Sequence, residues 1–210
     1  MTSPDYSPAA VRNKQAILEV LLTVLPERGN ALEIASGTGQ HVAWFASGLQ
    51  GWTWQPSDAQ PDGFVSINAW VTEQDVRNVR SPVVIDVMAP NWLPRQQLFD
   101  LIYCANMLHI APWAAGAALM HGSAEYLAPG GRLITYGPYL EDGVPTSPGN
   151  LAFDQSLRER NPAWGIRRIE DLKAHAAKTE LKLLARHAMP ANTLLLVWVR
   201  EQPSLQPLKN

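Results

Sequence analysis

The sequence predicts an α/β architecture: a mostly parallel seven-stranded sheet, helices on both faces, and an antiparallel hairpin at its C-terminal edge. Three observations carry this. Apolar, strand-like runs alternate five times with helix-spaced segments, and parallel strands need such crossovers. The first run, residues 31–34, passes through Gly37 and Gly39 straight into helical spacing from Gln40 to Ser47. Two β-rich runs joined by Met189-Pro-Ala-Asn192 close the chain.

Ser7 and Pro8 mark the first helix start. Serine caps free N–H groups, and proline fits the first helical position, where its missing N–H has no partner to lose. Ile17, Leu18, Leu21, Leu22 and Leu25 then share one face. Residues 26–30 break the helix before the strand at 31–34. After the glycine turn, a helix through Val42, Phe45 and Ala46 ends at Gly48. Residues 52–55 form a second strand that stops at Pro56-Ser-Asp58, and Phe64, Ile67 and Val71 mark a helix. Pro82-Val-Val-Ile-Asp86 reads as a third strand ending in an acid, and Leu98-Phe-Asp-Leu-Ile-Tyr-Cys104 as a fourth. A helix over 112–127, a turn at Pro129-Gly-Gly131 and a fifth strand over 132–136 follow. Residues 137–150 are loop-like, with helices over 151–160 and 169–179 and strands over 181–187 and 193–200. The polar stretch 201–210 predicts a frayed end.

Length and composition bound the function. The 210 residues predict one domain, and 46% hydrophobic with 17% charged residues fits a folded globular chain. A net charge of −2 gives no electrostatic ground for binding nucleic acid. The arginines between positions 158 and 168 stand among Glu159, Glu170 and Asp171 and predict a solvated, mixed-charge face. Cys104 is alone and flanked by apolar residues, which excludes an intrachain disulfide and predicts an inert core thiol. No paired histidines or acids stand at metal-ligand spacing, so no metal is expected. Neither a basic-then-apolar leader nor a run of ~18 apolar residues is present, so a cytoplasmic protein without a membrane partner is expected.

The glycine turn opening a helix predicts a site for a nucleoside cofactor, because glycine lets a ligand approach the backbone and the helix start offers free N–H groups. Asp58 lies 19 residues after Gly39, the distance at which an acid ending the second strand reaches ribose hydroxyls. Asp86 is placed to accept from an exocyclic amine such as that of adenine; capping a neighbouring turn is its alternative duty. Glu33 similarly has two readings, a ligand contact or a partner for the turn's amides. A phosphate loop is excluded, since no Gly-Lys-Ser/Thr follows the turn. A dinucleotide fingerprint wants a third glycine where Val42 stands, which disfavours a nicotinamide-dependent oxidoreductase.

More specific features narrow the choice. Glu33-Ile-Ala-Ser-Gly-Thr-Gly39 places an acid in the strand before spaced glycines, Leu127-Ala-Pro-Gly-Gly-Arg-Leu133 precedes the fifth strand, and Phe99-Asp100 opens an apolar strand. In these features the chain resembles the S-adenosylmethionine-dependent class I methyltransferases. Nearly the whole chain is similar to the methyltransferase-like twenty-six family, a group of unknown function. That likeness rests on Ser7-Pro-Ala-Ala-Val-Arg-Asn-Lys14, Leu32-Glu-Ile-Ala-Ser-Gly-Thr-Gly-Gln-His41, Trp54-Gln-Pro-Ser-Asp58, Cys104-Ala-Asn-Met-Leu-His109 and Met189-Pro-Ala-Asn192. Ala35 stands where the broader class has its first glycine. The resemblance implies a Rossmann-like class I methyltransferase fold and S-adenosyl-L-methionine as cofactor. It further implies that Glu33, Ala35, Ser36, Gly37 and Gly39 hold the cofactor's amino-acid end, Asp58 its ribose, and Asp86 its adenine, with Asn106 near the sulfonium or methionine portion.

Methyl transfer from a sulfonium is an in-line displacement that mainly needs positioning and desolvation. The fourth strand ends in Cys104-Ala-Asn-Met107 and not in the Asn/Asp-Pro-Pro-Tyr pattern of nucleic-acid amino methylation, so a small-molecule acceptor is expected. His109 is the candidate general base, with a backbone-satisfied histidine as the alternative; His41 is expected to line the cofactor mouth. Tyr6, Arg12 and Asn13, in the N-terminal helix and cap (residues 1–28), are candidate acceptor contacts. So are Tyr139, Asn150, Asp154 and Arg158, in an insertion at 137–165, and Trp113 as a stacking surface; structural duty is the alternative for each. A cofactor-binding subunit without catalysis is the other functional class that these motifs allow.

Overall fold

The computed structural model describes residues 3–201, so residues 202–210 of the expected frayed end lie outside the described residues. In chain order the elements are α1 (Pro8–Val24), β1 (Gly29–Ile34), α2 (Gln40–Gly48), β2 (Trp52–Asp58), α3 (Phe64–Glu73), β3 (Val83–Val84), β4 (Phe99–Ala105) and α4 (Trp113–Tyr126). There follow β5 (Leu127–Gly137), β6 (Tyr139–Leu140), α5 (Pro148–Arg160), β7 (Arg167–Arg168), α6 (Ile169–Ala176), β8 (Leu181–Met189) and β9 (Thr193–Arg200).

The seven-stranded sheet runs β3-β2-β1-β4-β5-β9-β8. Its first five strands are parallel, and β9 is antiparallel to both β5 and β8. Strand order reverses between β1 and β4, the position at which open α/β sheets bind ligands beyond the strands' carboxyl ends. One core lies between the sheet and α1 to α3, with Ile17, Leu21, Phe45, Trp54 and Tyr103 buried in it. The other face packs Ile102, Leu119, Leu172 and Trp198 against α4 and α6.

Local chemistry accounts for most boundaries. Ser7 Oγ accepts from the Ala10 N–H at 3.3 Å, with Pro8 opening α1. Ile17, Leu18 and Leu21 are buried as expected, whereas Leu22 is 55% exposed, one position beyond the packed stripe. β2 continues through Pro56. Trp54 bonds Asn78 and Arg80 on the outer side and the Asp58 carbonyl bonds Ile85 there, so the intervening alternate position, Pro56, turns its N to an unpaired stretch of the same edge.

Three expectations need correction. The third strand is only Val83–Val84, because the Asp86 carbonyl accepts from the Ala89 N–H at 2.9 Å and turns the chain. β5 begins at Leu127, pairing it with Phe99, and the Pro129-Gly-Gly turn is a register break before Arg132 meets Leu101. Finally, residues 137–150 are not wholly loop: Tyr139 and Leu140 pair in parallel with Arg167 and Arg168, and α5 starts at Pro148 behind the Ser147 cap.

Candidate functional site at the sheet switch point

The turn after β1 takes left-handed backbone at Ala35 (φ 56°), Gly37 (φ 54°) and Gly39 (φ 86°). Gly39 is needed twice: a side chain there would be strained, and its Cβ would stand 2.5 Å from Ile67 Cα on α3. Gly37 instead faces open space. Ala35 carries its methyl group in a conformation that costs an L-residue about 1 kcal/mol or more.

The turn is stitched to β2. Ser36 N–H donates to Ser57 O at 2.8 Å, Ser57 N–H to Ser36 Oγ at 3.1 Å, and Ser57 Oγ to Glu33 O at 2.6 Å. Gly37 N–H donates to Asp58 Oδ2 at 2.9 Å, and Ala59 N–H to Asp58 Oδ1 at 2.8 Å. Each Asp58 oxygen therefore holds one backbone donor and keeps a lone pair for a ligand hydroxyl.

A cavity of about 540 Å³ opens above these strand ends. Ala35, Ser36, Gly37, His41, Asp58, Asp86 and Asn106 line it, so seven of the nine expected cofactor residues meet there. Glu33 and Gly39 lie beneath the lining. Apolar walls come from Ile85, Val87 and Met88 on one side and Met107, Ile110, Ala111 and Ala115 on another. Asp86 also fulfils its alternative duty, accepting from Met88 N–H at 2.8 Å.

Glu33 is buried in β1, next in the chain to the lining residues Ile34 and Ala35, and its Oε2 has no hydrogen-bond partner among the described residues. Burial pushes its pKa up to about 8; the Ser36 hydroxyl pulls it back and the Asp58 charge adds to the rise. A buried acid with an unused acceptor atom beneath the lining of a cavity fits a ligand carrying an ammonium group. His41 Nε2 lies 2.7 Å from Asn13 Oδ1, and because that oxygen only accepts, Nε2 is the protonated nitrogen. Burial, then Lys14, lowers the His41 pKa to about 4, so the ring is neutral at pH 7.

His109 does not line the cavity. It sits on the short 3-10 turn Leu108–Ile110, against Gly137 and edge-on to Phe153 at 5.4 Å. Burial, then Arg167 and Arg160, lowers its pKa to about 4. The expected acceptor contacts do not gather at the cavity either. Tyr6 and Arg12 are exposed, and Asn13 is the buried partner of His41. Trp113 packs edge-on to His175, and Tyr139 is buried at the β6–β7 ladder. Asn150 Nδ2 donates to Asn192 O at 2.9 Å, while Asp154 pairs with Arg158 at 2.8 Å and accepts from Ile166 N–H at 2.6 Å. Sequence reading missed Ser7 and Ala10 as cavity wall, although the cap at Ser7 was visible. It also misjudged Arg167, which is partly buried on main-chain carbonyls and not on a solvated face. Among the described residues no group of three or more His, Cys, Asp or Glu could hold a metal, and no helix is long and apolar enough to cross a membrane.

Sheet order, glycine turn and switch-point cavity together define a Rossmann-like class I methyltransferase fold. The chain belongs to the family described as "Protein of unknown function (DUF938)", which matches residues 4–200. Solved structures with this fold include an O-methyltransferase family protein from Burkholderia thailandensis (TM-score 0.75, 16% identity, covering 92% of this chain and 58% of that one). An O-methyltransferase family 2 protein from Planctomyces limnophilus, in complex with apigenin, gives 0.76, 18%, 91% and 57%. CalO1, a methyltransferase in calicheamicin biosynthesis in an SAH-bound form, gives 0.71, 12%, 91% and 54%. This chain thus spans little more than half the length of those proteins.

Proposed function

We propose that this chain transfers a methyl group from S-adenosyl-L-methionine to a small-molecule acceptor, and that it is a member of the methyltransferase-like twenty-six family. The observation that carries the reading is Asp58 lining the cavity, held at the turn by Gly37 N–H, with a buried Glu33 beneath the same turn whose Oε2 has no partner among the described residues. When bound, the cofactor supplies a methyl group on a sulfonium, open to displacement by an acceptor lone pair.

In this reading Glu33 receives the ammonium, with the Ala35 to Gly39 backbone beside the amino-acid end and neutral His41 next to it. Asp58 accepts from the ribose hydroxyls and Asp86 from the adenine amine. Asn106, left-handed at φ 58° and anchored by its N–H on Tyr136 O at 2.8 Å, stands near the sulfur. His109, the expected proton acceptor, lies outside the cavity lining on the turn between Met107 and Ile110, so it reaches an acceptor only if that turn moves; its low pKa keeps it unprotonated and makes it a weak base. Asn13 serves through His41, and the acceptor contacts fall to Ser7, Ala10 and Ile110 of the cavity wall. That same weakness of His109 favours, as second reading, a cofactor-binding subunit without turnover.

Asp58→Ala should weaken binding of S-adenosylhomocysteine roughly tenfold or more, since hydrogen bonds to a charged acceptor contribute about 1.5–3 kcal/mol. An unchanged Kd by calorimetry would remove Asp58 from the ribose site.

A further inference from the structure

Arg167 differs from the arginines around it. Arg158 pairs with Asp154 and Arg168 with Asp142, whereas Arg167 makes no ion pair among the described residues. Its guanidinium donates to three main-chain carbonyls: Nε to Leu108 O at 2.9 Å, and Nη2 to Ala111 O and to Ala163 O, the latter at 3.0 Å. The same group lies over the Trp113 ring, 5.7 Å from its centroid. Leu108 and Ala111 bracket Ile110, and Met107, Ile110, Ala111, Pro112 and Ala115 form one wall of the cavity.

Other main-chain carbonyls of this wall have backbone partners: Met107 O accepts from Ile110 N–H at 3.0 Å, His109 O from Gly165 N–H at 3.0 Å and Pro112 O from Ala115 N–H at 2.9 Å. Leu108 O and Ala111 O, on a 3-10 turn without a side-chain cap and just after it, are the ones that Arg167 takes. A planar fork of donors that stays charged at any working pH can bind several carbonyls at once, which a point-like ammonium cannot. Arg167 is itself fixed by the β6–β7 ladder, opposite Tyr139, so the clamp joins the segment after β5 to the wall. A partly buried cation with carbonyls and an aromatic face but no carboxylate partner is costly, and its position behind a cavity wall gives that cost a use.

We infer that Arg167 is a positioning residue for the cofactor: by clamping the Leu108 and Ala111 carbonyls it sets the wall against which the ligand packs. The inference rests on the reading of the cavity as a cofactor site. The experiment titrates S-adenosylhomocysteine into the full chain and into Arg167→Ala, with and without millimolar, non-denaturing guanidinium chloride. Loss of the clamp should raise Kd about tenfold or more. Guanidinium should restore the affinity of Arg167→Ala but not that of Asp58→Ala, a rescue that general loosening of the fold would not show. Wild-type affinity in Arg167→Ala, or a loss that guanidinium leaves unchanged, overturns the inference. Should Arg167→Ala fail to fold, Arg167→Lys retains the charge without the fork; it should bind less tightly, and wild-type affinity there overturns the inference equally. If the unaltered chain does not bind the ligand at all, the cofactor reading itself fails and takes this inference with it.

Discussion

Glu33 keeps, in the folded chain, a proton that an ordinary carboxyl group loses near pH 4.5. Between that value and about 8 the folded state binds the extra proton, so the stability that Glu33 contributes falls as pH rises through the window. Glu33→Gln keeps the shape and removes the titration. Its melting temperature should match the unaltered protein below pH ~5 and exceed it near pH ~9, while S-adenosylhomocysteine binds it more weakly. Parallel melting profiles of the two proteins across that range would contradict the account. Ala35 offers a second test. Relief of its left-handed strain offsets the usual entropic cost of glycine, so Ala35→Gly should leave thermal stability unchanged or raised by up to ~1 kcal/mol. A clear loss on thermal unfolding would show that the packing of the methyl group against the core outweighs the strain. Glu33, Asp58 and Asp86 were legible in sequence because strand, turn and acid spacing are local. Arg167 was not, since its carbonyl partners at Leu108 and Ala111 lie far away in the chain and nothing near it announces them.

The glycine turn and the two helices around it form the element on which the site depends. Gly39→Ala meets both a positive φ and the Ile67 backbone, so it should cost several kcal/mol and melt the α2–α3 contact first, as amide exchange would register. Protection of α3 equal to that in the unaltered chain would contradict this. Among elements, those with strong periodicity or caps were readable: α1 from Ser7 and Pro8, β1 and β4 from apolar runs. β3 was overread because the apolar run Val83-Val-Ile85 says nothing about the turn that Asp86 imposes. β6 and β7, two residues each, are too short to leave a period and exist only because Tyr139 meets Arg167 in space.

At the scale of the molecule, three buried titrations set the pH dependence of stability. His41 and His109, lowered to about 4, must stay neutral in the fold, so each adds stability as pH climbs from about 4 to 6.5. Glu33 acts in the opposite sense from 4.5 to about 8. Two gains against one loss below pH 6.5, and the loss alone above it, predict a stability maximum near pH 6.5, to be read from denaturant midpoints across the range. Sheet order, the switch-point position of the cavity and the residues of its glycine-turn side, from Ala35 to Asp58, all follow from patterns visible along the chain. The wall formed by Ser7, Ala10 and Ile110 does not, because it depends on how the start of α1 and the segment after β4 come together in space.

The central claim is that this cavity holds S-adenosylmethionine, and calorimetry of the unaltered chain with S-adenosylhomocysteine, set against NADH, tests it most directly. The account predicts saturable binding of one S-adenosylhomocysteine per chain, with NADH producing no comparable heat. Absence of heat at millimolar S-adenosylhomocysteine, or tighter binding of NADH, would contradict it.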